Sequence, residues 1–223
     1  KTQIDIITCS AAISACEKGQ QWERALRLLR ASRSKGFELG AITFNAAISC
    51  CEKNLLWERA HLFLGSLGRN AAQATVVTYS AAISACEKCF HWEQAAELMA
   101  SMRLCRVEAN VITYSALVSA HEKCHEWSRA VLLFKEAEPR GLSANAITCS
   151  ATIRACEPCQ QWCFVLWLLE RMHVRGPLPD SVACNAAVSI CETSDQWQIA
   201  GEILGELRQA DLERDIVAHS AAV

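Results

Sequence analysis

Six tryptophans, Trp22, Trp57, Trp92, Trp127, Trp162 and Trp197, stand 35 residues apart with no slip between them. Spacing kept that strictly means one structural unit copied six times. Such a unit cannot bury its own apolar face, so the copies must stack and lend each other a core, and three or more are needed for stability. Other columns keep the same period. Glu17, Glu52, Glu87, Glu122, Glu157 and Glu192 precede each Trp by five residues, and Cys16, Cys51, Cys86, His121, Cys156 and Cys191 stand just before them. Further upstream Ile13, Ile48, Ile83, Val118, Ile153 and Val188 form an apolar column. These columns frame one repeat domain over residues 1–223, with units 6–40, 41–75, 76–110, 111–145, 146–180 and 181–215 and a partial seventh, 216–223.

Within a unit, two apolar-periodic stretches of about 12 residues flank a polar break such as Gly19-Gln20-Gln21, which reads as two antiparallel helices. The first stretch is rich in Ala, Ser and Cys, so its backbone can approach a neighbour closely. The second carries larger side chains such as Trp22, Leu26 and Leu29, and Ala25, Ala60, Ala95, Ala130 and Ala200 mark a close-packing column beside the Trp ladder. The expected fold is all-α, an α-solenoid of stacked helix-turn-helix hairpins.

At 52% hydrophobic residues and four prolines the chain is too apolar and too regular for disorder, and no apolar run reaches the 18 residues of a membrane span. It has no initiator Met and no leader, which predicts an internal segment of a longer protein. The 14 cysteines fall largely into columns that exchange Cys with His, Phe, Tyr or Ser, as packing positions do. That usage suits a reducing compartment.

Two patterns resemble enzyme chemistry and fail on spacing. His91-Trp92-Glu93 spells the H-x-E of zinc deaminases, but the partner would be Pro158, Cys159 and Cys163, one residue too widely spaced. The C-x-x-C pairs Cys86/Cys89 and Cys156/Cys159 lie two repeats apart, too far for one zinc. There is no phosphate loop, G-x-S-x-G or kinase signature, so the chain is expected not to be an enzyme and to need neither metal nor cofactor.

The segments Val77-Thr78-Tyr79-Ser80-Ala81-Ala82-Ile83-Ser84-Ala85-Cys86-Glu87-Lys88 and Val111-Ile112-Thr113-Tyr114-Ser115-Ala116-Leu117-Val118-Ser119-Ala120 resemble the first helix of the pentatricopeptide repeat. The 35-residue period of P-type members, Met102 and Met172 near the close of the second helix, and Gly36, Gly141 and Gly176 after it extend the resemblance over essentially the whole chain. The tetratricopeptide repeat has a period of 34 residues and a different Trp, Gly and Tyr pattern. Where this chain has its Trp column the family usually has an aliphatic residue.

The resemblance implies a right-handed superhelix whose first helices line a surface for single-stranded RNA, one base per repeat. It places the fifth and last residues of each unit at the base edge. Here these are Ser10 with Gly40, Asn45 with Thr75, Ser80 with Asn110, Ser115 with Asn145, Ser150 with Asp180, and Asn185 with Asp215. The second residues, Ile7, Ile42, Val77, Ile112, Ile147 and Val182, would wedge between bases; packing at a helix start is the competing use of such side chains. Ser leaves room for a purine and Asn fills the gap beside a pyrimidine. Asp accepts from guanine or uracil, and Asn donates to adenine or cytosine. The implied core site is 5′-N-Y-A-A-G-U-3′.

A net charge of −2 argues against a nucleic-acid partner unless the cations are well placed. Lys18, Lys53, Lys88 and Lys123 recur where the family puts a phosphate-contacting lysine, and Pro158 and Thr193 replace them further on. If all four engage, affinity should fall with salt with a log–log slope of roughly −3. The resemblance also implies residence in a mitochondrion or plastid, no membrane contact, and protein partners that supply any catalysis. A protein-binding scaffold is the competing function, since any helical solenoid offers a docking surface.

Overall fold

The computed structural model describes residues 6–34, 36, 40–69, 73–137, 140, 142, 145–159, 161–175, 179–193, 198 and 201. Trp197, Ala200, Gly141, Gly176, Asp215 and the partial seventh unit lie outside them. The described residues form eleven α-helices and no strand. The order is α1 (Ile6–Lys18), α2 (Trp22–Ser34), α3 (Ala41–Lys53), α4 (Trp57–Arg69), α5 (Val76–Lys88), α6 (Trp92–Leu104), α7 (Val111–Lys123), α8 (Trp127–Ala137), α9 (Ala146–Cys156), α10 (Trp162–Arg175) and α11 (Ser181–Thr193), with a 3-10 turn at Glu157–Cys159. Odd-numbered helices begin at the first residue of a repeat, and the even-numbered ones begin at its Trp.

The chain divides into two compact units, Lys1–Ala120 and His121–Val223. In the first, α3 packs against α1, α2, α4 and α5. A helix enclosed by four others must be apolar around most of its circumference, and α3 accordingly buries Thr43, Phe44, Ala46, Ala47, Ile48, Cys50 and Cys51. In the second unit α9 packs against α8, α10 and α11 over a core that includes Phe134, Ile153, Leu168, Met172 and Val188.

The repeat columns explain this core. Ile13, Ile48, Ile83, Val118, Ile153 and Val188 are fully buried, and Ala25, Ala60, Ala95 and Ala130 let the second helix sit close beside them. The Trp residues, the most conspicuous sequence signal, are only half-buried at positions 22, 57, 92, 127 and 162. Trp57 lies against the His91 ring at 4.4 Å between centroids.

The first four hairpins each turn through one left-handed residue, Gln20 (φ 53°), Leu55 (φ 59°), Phe90 (φ 63°) or His125 (φ 59°). The N–H of the residue after it reaches back to a carbonyl of the first helix: Gln21 to Cys16 at 2.9 Å, Leu56 to Cys51 at 2.9 Å, His91 to Cys86 at 3.0 Å and Glu126 to His121 at 2.9 Å. This six-to-one bond is the Schellman closure. The turn is built without glycine in this left-handed place, at a cost of about 1 kcal/mol per turn.

Burial also settles the state of the Cys column. It pushes the thiols of Cys51, Cys86 and Cys156 up to about 12, aided by neighbouring Cys50, Cys89 and Cys159, so they stay protonated near neutrality. His121 stands in the same column, and burial, with Arg129 nearby, lowers it to about 4. Its ring is therefore neutral at physiological pH.

Candidate nucleic-acid interface

The start of each first helix is where the enclosure of the first helices opens. The second residues of the repeats leave their aliphatic side chains in solvent: Ile7 is 81% exposed, Ile42 78%, Val77 57%, Ile112 63%, Ile147 66% and Val182 46%. Packing at the helix start does not account for them. An apolar side chain exposed once is ordinary, but the same position exposed in every repeat is a surface feature that calls for a ligand.

Beside Ile42, Val77, Ile112, Ile147 and Val182 stands the last residue of the preceding repeat, which precedes the first helix and caps it. Asn110 Oδ1 accepts from the Thr113 N–H at 2.9 Å and from Thr113 Oγ1 at 3.0 Å. Asn145 Oδ1 accepts likewise from Thr148 N at 2.8 Å and Thr148 Oγ1 at 2.7 Å. Asp180 Oδ1 accepts from the Ala183 N–H at 2.8 Å. These bonds satisfy helix N–H groups that have no intrahelical acceptor. Gly40 caps α3 with backbone alone, and Thr75 N–H donates to Thr78 Oγ1 at 3.0 Å.

The fifth residues come to the same places. Ser80 Oγ lies 2.8 Å from Thr113 Oγ1, so Ser80 and Asn110 meet through that threonine. Thr78 Oγ1 donates to Asn45 Oδ1 at 2.6 Å and lies 3.1 Å from Thr75 Oγ1, joining the second pair. Ser10 Oγ lies 2.7 Å from Thr43 Oγ1. At the end of the fifth repeat, where Ala183 of the sixth replaces the threonine, Ser150 Oγ donates directly to Asp180 Oδ1 at 2.9 Å. Ser115 Oγ donates to the Val111 carbonyl at 2.8 Å, and Asn185 is half-buried on α11; its pair member Asp215 lies outside the described residues.

Sequence reasoning passed over the column that makes these connections. Thr43, Thr78, Thr113 and Thr148 are buried, and with Thr8 they recur at the third position of a repeat. Their period was a sufficient signal, but a helix-start threonine looks like ordinary capping until its partner 33 residues away is known.

The lysine column is more constrained than its sequence suggests. Lys18, Lys53, Lys88 and Lys123 end α1, α3, α5 and α7. Lys53 Nζ is 3.2 Å from Glu17 Oε1, and Lys88 Nζ is 2.9 Å from Glu52 Oε1, each pair linking adjacent repeats. Glu52 also accepts from Ser84 at 2.9 Å, Glu122 from Arg154 at 2.9 Å, and Glu157 from Ser189 at 2.7 Å. The Glu column is thus a latch between repeats. With a carboxylate on two of the four lysines, they do not act as four bare cations, and the expected salt slope is shallower than roughly −3.

No group of three or more residues of metal-ligating type is gathered among the described residues, and none of the described helices is long and apolar enough to cross a membrane. His91 of the H-x-E pattern packs on Trp57.

Two family models match the sequence: the PPR repeat family over residues 74–123, and the PPR repeat over residues 7–37 and 112–138. None of the curated proteins matches it. Among solved structures, the chain is similar to the pentatricopeptide repeat protein PPR10 from maize, at 21% identity and a TM-score of 0.66, over 97% of this chain and 31% of that one. PPR10 in complex with an 18-nt psaJ RNA element matches at 18% identity and a TM-score of 0.61, over 98% of this chain and 36% of that one. The PPR domain of Arabidopsis thaliana protein-only RNase P 1 in complex with tRNA matches at 14% identity and a TM-score of 0.70, over 84% of this chain and 95% of that one. The chain spans about a third of the length of the PPR10 chains it matches. With repeat matches over residues 7–37 and 74–138 seated on its own 35-residue frame, and the helical-solenoid fold in common, the chain carries pentatricopeptide repeats.

Proposed function

We propose that this chain binds single-stranded RNA selectively, one base per repeat, with the second residues clasping bases and the fifth and last residues reading their edges. The observation that carries the proposal is the recurrence, in every repeat, of an exposed aliphatic side chain at the start of the first helix. Polar pairs joined by short hydrogen bonds support it in the second, third and fifth repeats. A flat base fits between branched aliphatics, and its edge then meets the polar pair. A peptide-binding groove has no reason to restrict these columns together. Maize PPR10 and the Arabidopsis RNase P domain, similar in fold, are both named in complexes with RNA.

In this reading the second to sixth repeats take 5′-Y-A-A-G-U-3′, and the first, with Ser10 and Gly40, has too little side chain to choose. The chain is not itself an enzyme. Burial keeps Cys86 and Cys156 protonated, opposing thiolate chemistry at the C-x-x-C pairs. Catalysis, where needed, comes from partner proteins, and the working compartment is a mitochondrion or plastid.

Fluorescence anisotropy with an RNA containing UAAGU, beside one with the AAGU bases permuted, at two salt concentrations, tests the proposal. Preference for the first RNA is the expected result. Equal binding to both would sink base reading, and no binding at low salt would favour a protein scaffold.

A further inference from the structure

We infer that the buried third-position threonines Thr78, Thr113 and Thr148 are positioning residues that fix which polar atom of the neighbouring amide faces an RNA base. This rests on the RNA reading above. An Asn side chain presents an acceptor on one side and a donor on the other, and the two are opposite instructions to a base. A backbone N–H can only donate, so the atom of Asn110 that lies 2.9 Å from Thr113 N must be Oδ1. Oδ1 has no proton to give, so Thr113 Oγ1 spends its single hydrogen on the same oxygen. Two donors thus hold one end of the amide, and Nδ2 is turned away as the reading atom. Asn145 is held in the same way by Thr148. Asn45, of the fifth column, gives its Oδ1 to Thr78, which leaves Nδ2 for the O2 oxygen that both pyrimidines carry.

The exception sharpens the assignment. In the fifth repeat the last residue is Asp180, whose two oxygens are both acceptors, so turning it over changes nothing. The third-position residue of the next repeat is Ala183, and Ser150 takes over as the side-chain donor to Oδ1. Beside Asn110 and Asn145 the threonine meets an amide that needs orienting, and beside Asp180, which needs none, its place is taken by Ala183.

The test is anisotropy on the full chain with UAAGU and with the RNA carrying G for the A read by the third repeat. Thr113→Val removes the hydroxyl at constant shape, and Thr113→Ser keeps it. The unmodified chain and Thr113→Ser are expected to prefer A, while Thr113→Val loses that preference by about fivefold or more, with its preference for G at the fifth repeat intact. A role confined to helix capping would lower the melting temperature without moving this ratio. An A-over-G ratio unchanged in Thr113→Val, where the unmodified chain does prefer A, overturns the assignment and leaves the RNA reading standing. Absence of any A preference in the unmodified chain overturns both.

Discussion

The first and second helices of each repeat are of similar length and differ in what surrounds them. α3 is enclosed by four helices and α9 by three, so nearly every position is spoken for by packing. On α4, α8 and α10 a whole face is open, and Leu62, Leu132 and Trp167 sit on it. An exposed leucine on the second helices therefore says little. On α3, α5, α7, α9 and α11 solvent reaches little more than one line of residues, and a side chain exposed there has escaped a demand that its neighbours meet. That is why the modest second-position aliphatics inform about function more than the six tryptophans do.

The contrast can be broken most forcefully by truncating each side. Phe44→Ala, at a fully buried position on α3, is expected to cost roughly 3–5 kcal/mol in urea denaturation, and Leu132→Ala on the open face of α8 less than about 0.5 kcal/mol. Comparable costs would show that the second helices are covered in solution.

Acid is the next lever, because His121 occupies an enclosed position meant for a small apolar residue. Its pKa falls from 6.5 to about 4 on folding, so its contribution is complete above pH 6.5 and is lost as pH drops toward 4. The loss should reach roughly 1.4 kcal/mol per pH unit within that window. In His121→Cys, which restores the residue of the other repeats, that part of the acid dependence should vanish from the melting profile.

Ile112→Ala should act oppositely to Phe44→Ala. Stability changes by less than about 0.5 kcal/mol, while affinity for UAAGU-containing RNA falls roughly tenfold. A large loss of stability would return this column to packing. The smallest effect belongs to the latch: Glu52→Gln costs at most about 1 kcal/mol, and by releasing Lys88 it steepens the log–log salt slope of RNA binding by about 0.7.

Most of the scaffold was legible from the 35-residue period, since the helix starts at residues 41, 76, 111, 146 and 181 coincide with the framed units. The fully buried Ile48 column and the protonated Cys86 column also follow from residue type and recurrence. What stayed hidden is pairing between repeats. Lys88 reads as a free cation until Glu52 is found 36 residues back, and Thr113 reads as a cap until Ser80 is found 33 residues back. A column shows that a position matters in every copy, and only the stacking shows which column it meets.

Base reading by the last residue is the central claim, and Asp180→Asn tests it most directly. The introduced amide keeps the Ala183 N–H and the Ser150 hydroxyl as donors to its oxygen, so it presents an NH2 group where the native carboxylate presents an acceptor. In anisotropy titrations against RNAs carrying G or A at the base of the fifth repeat, the native chain should prefer G and Asp180→Asn should prefer A. Retention of the G preference in the folded variant would contradict the account.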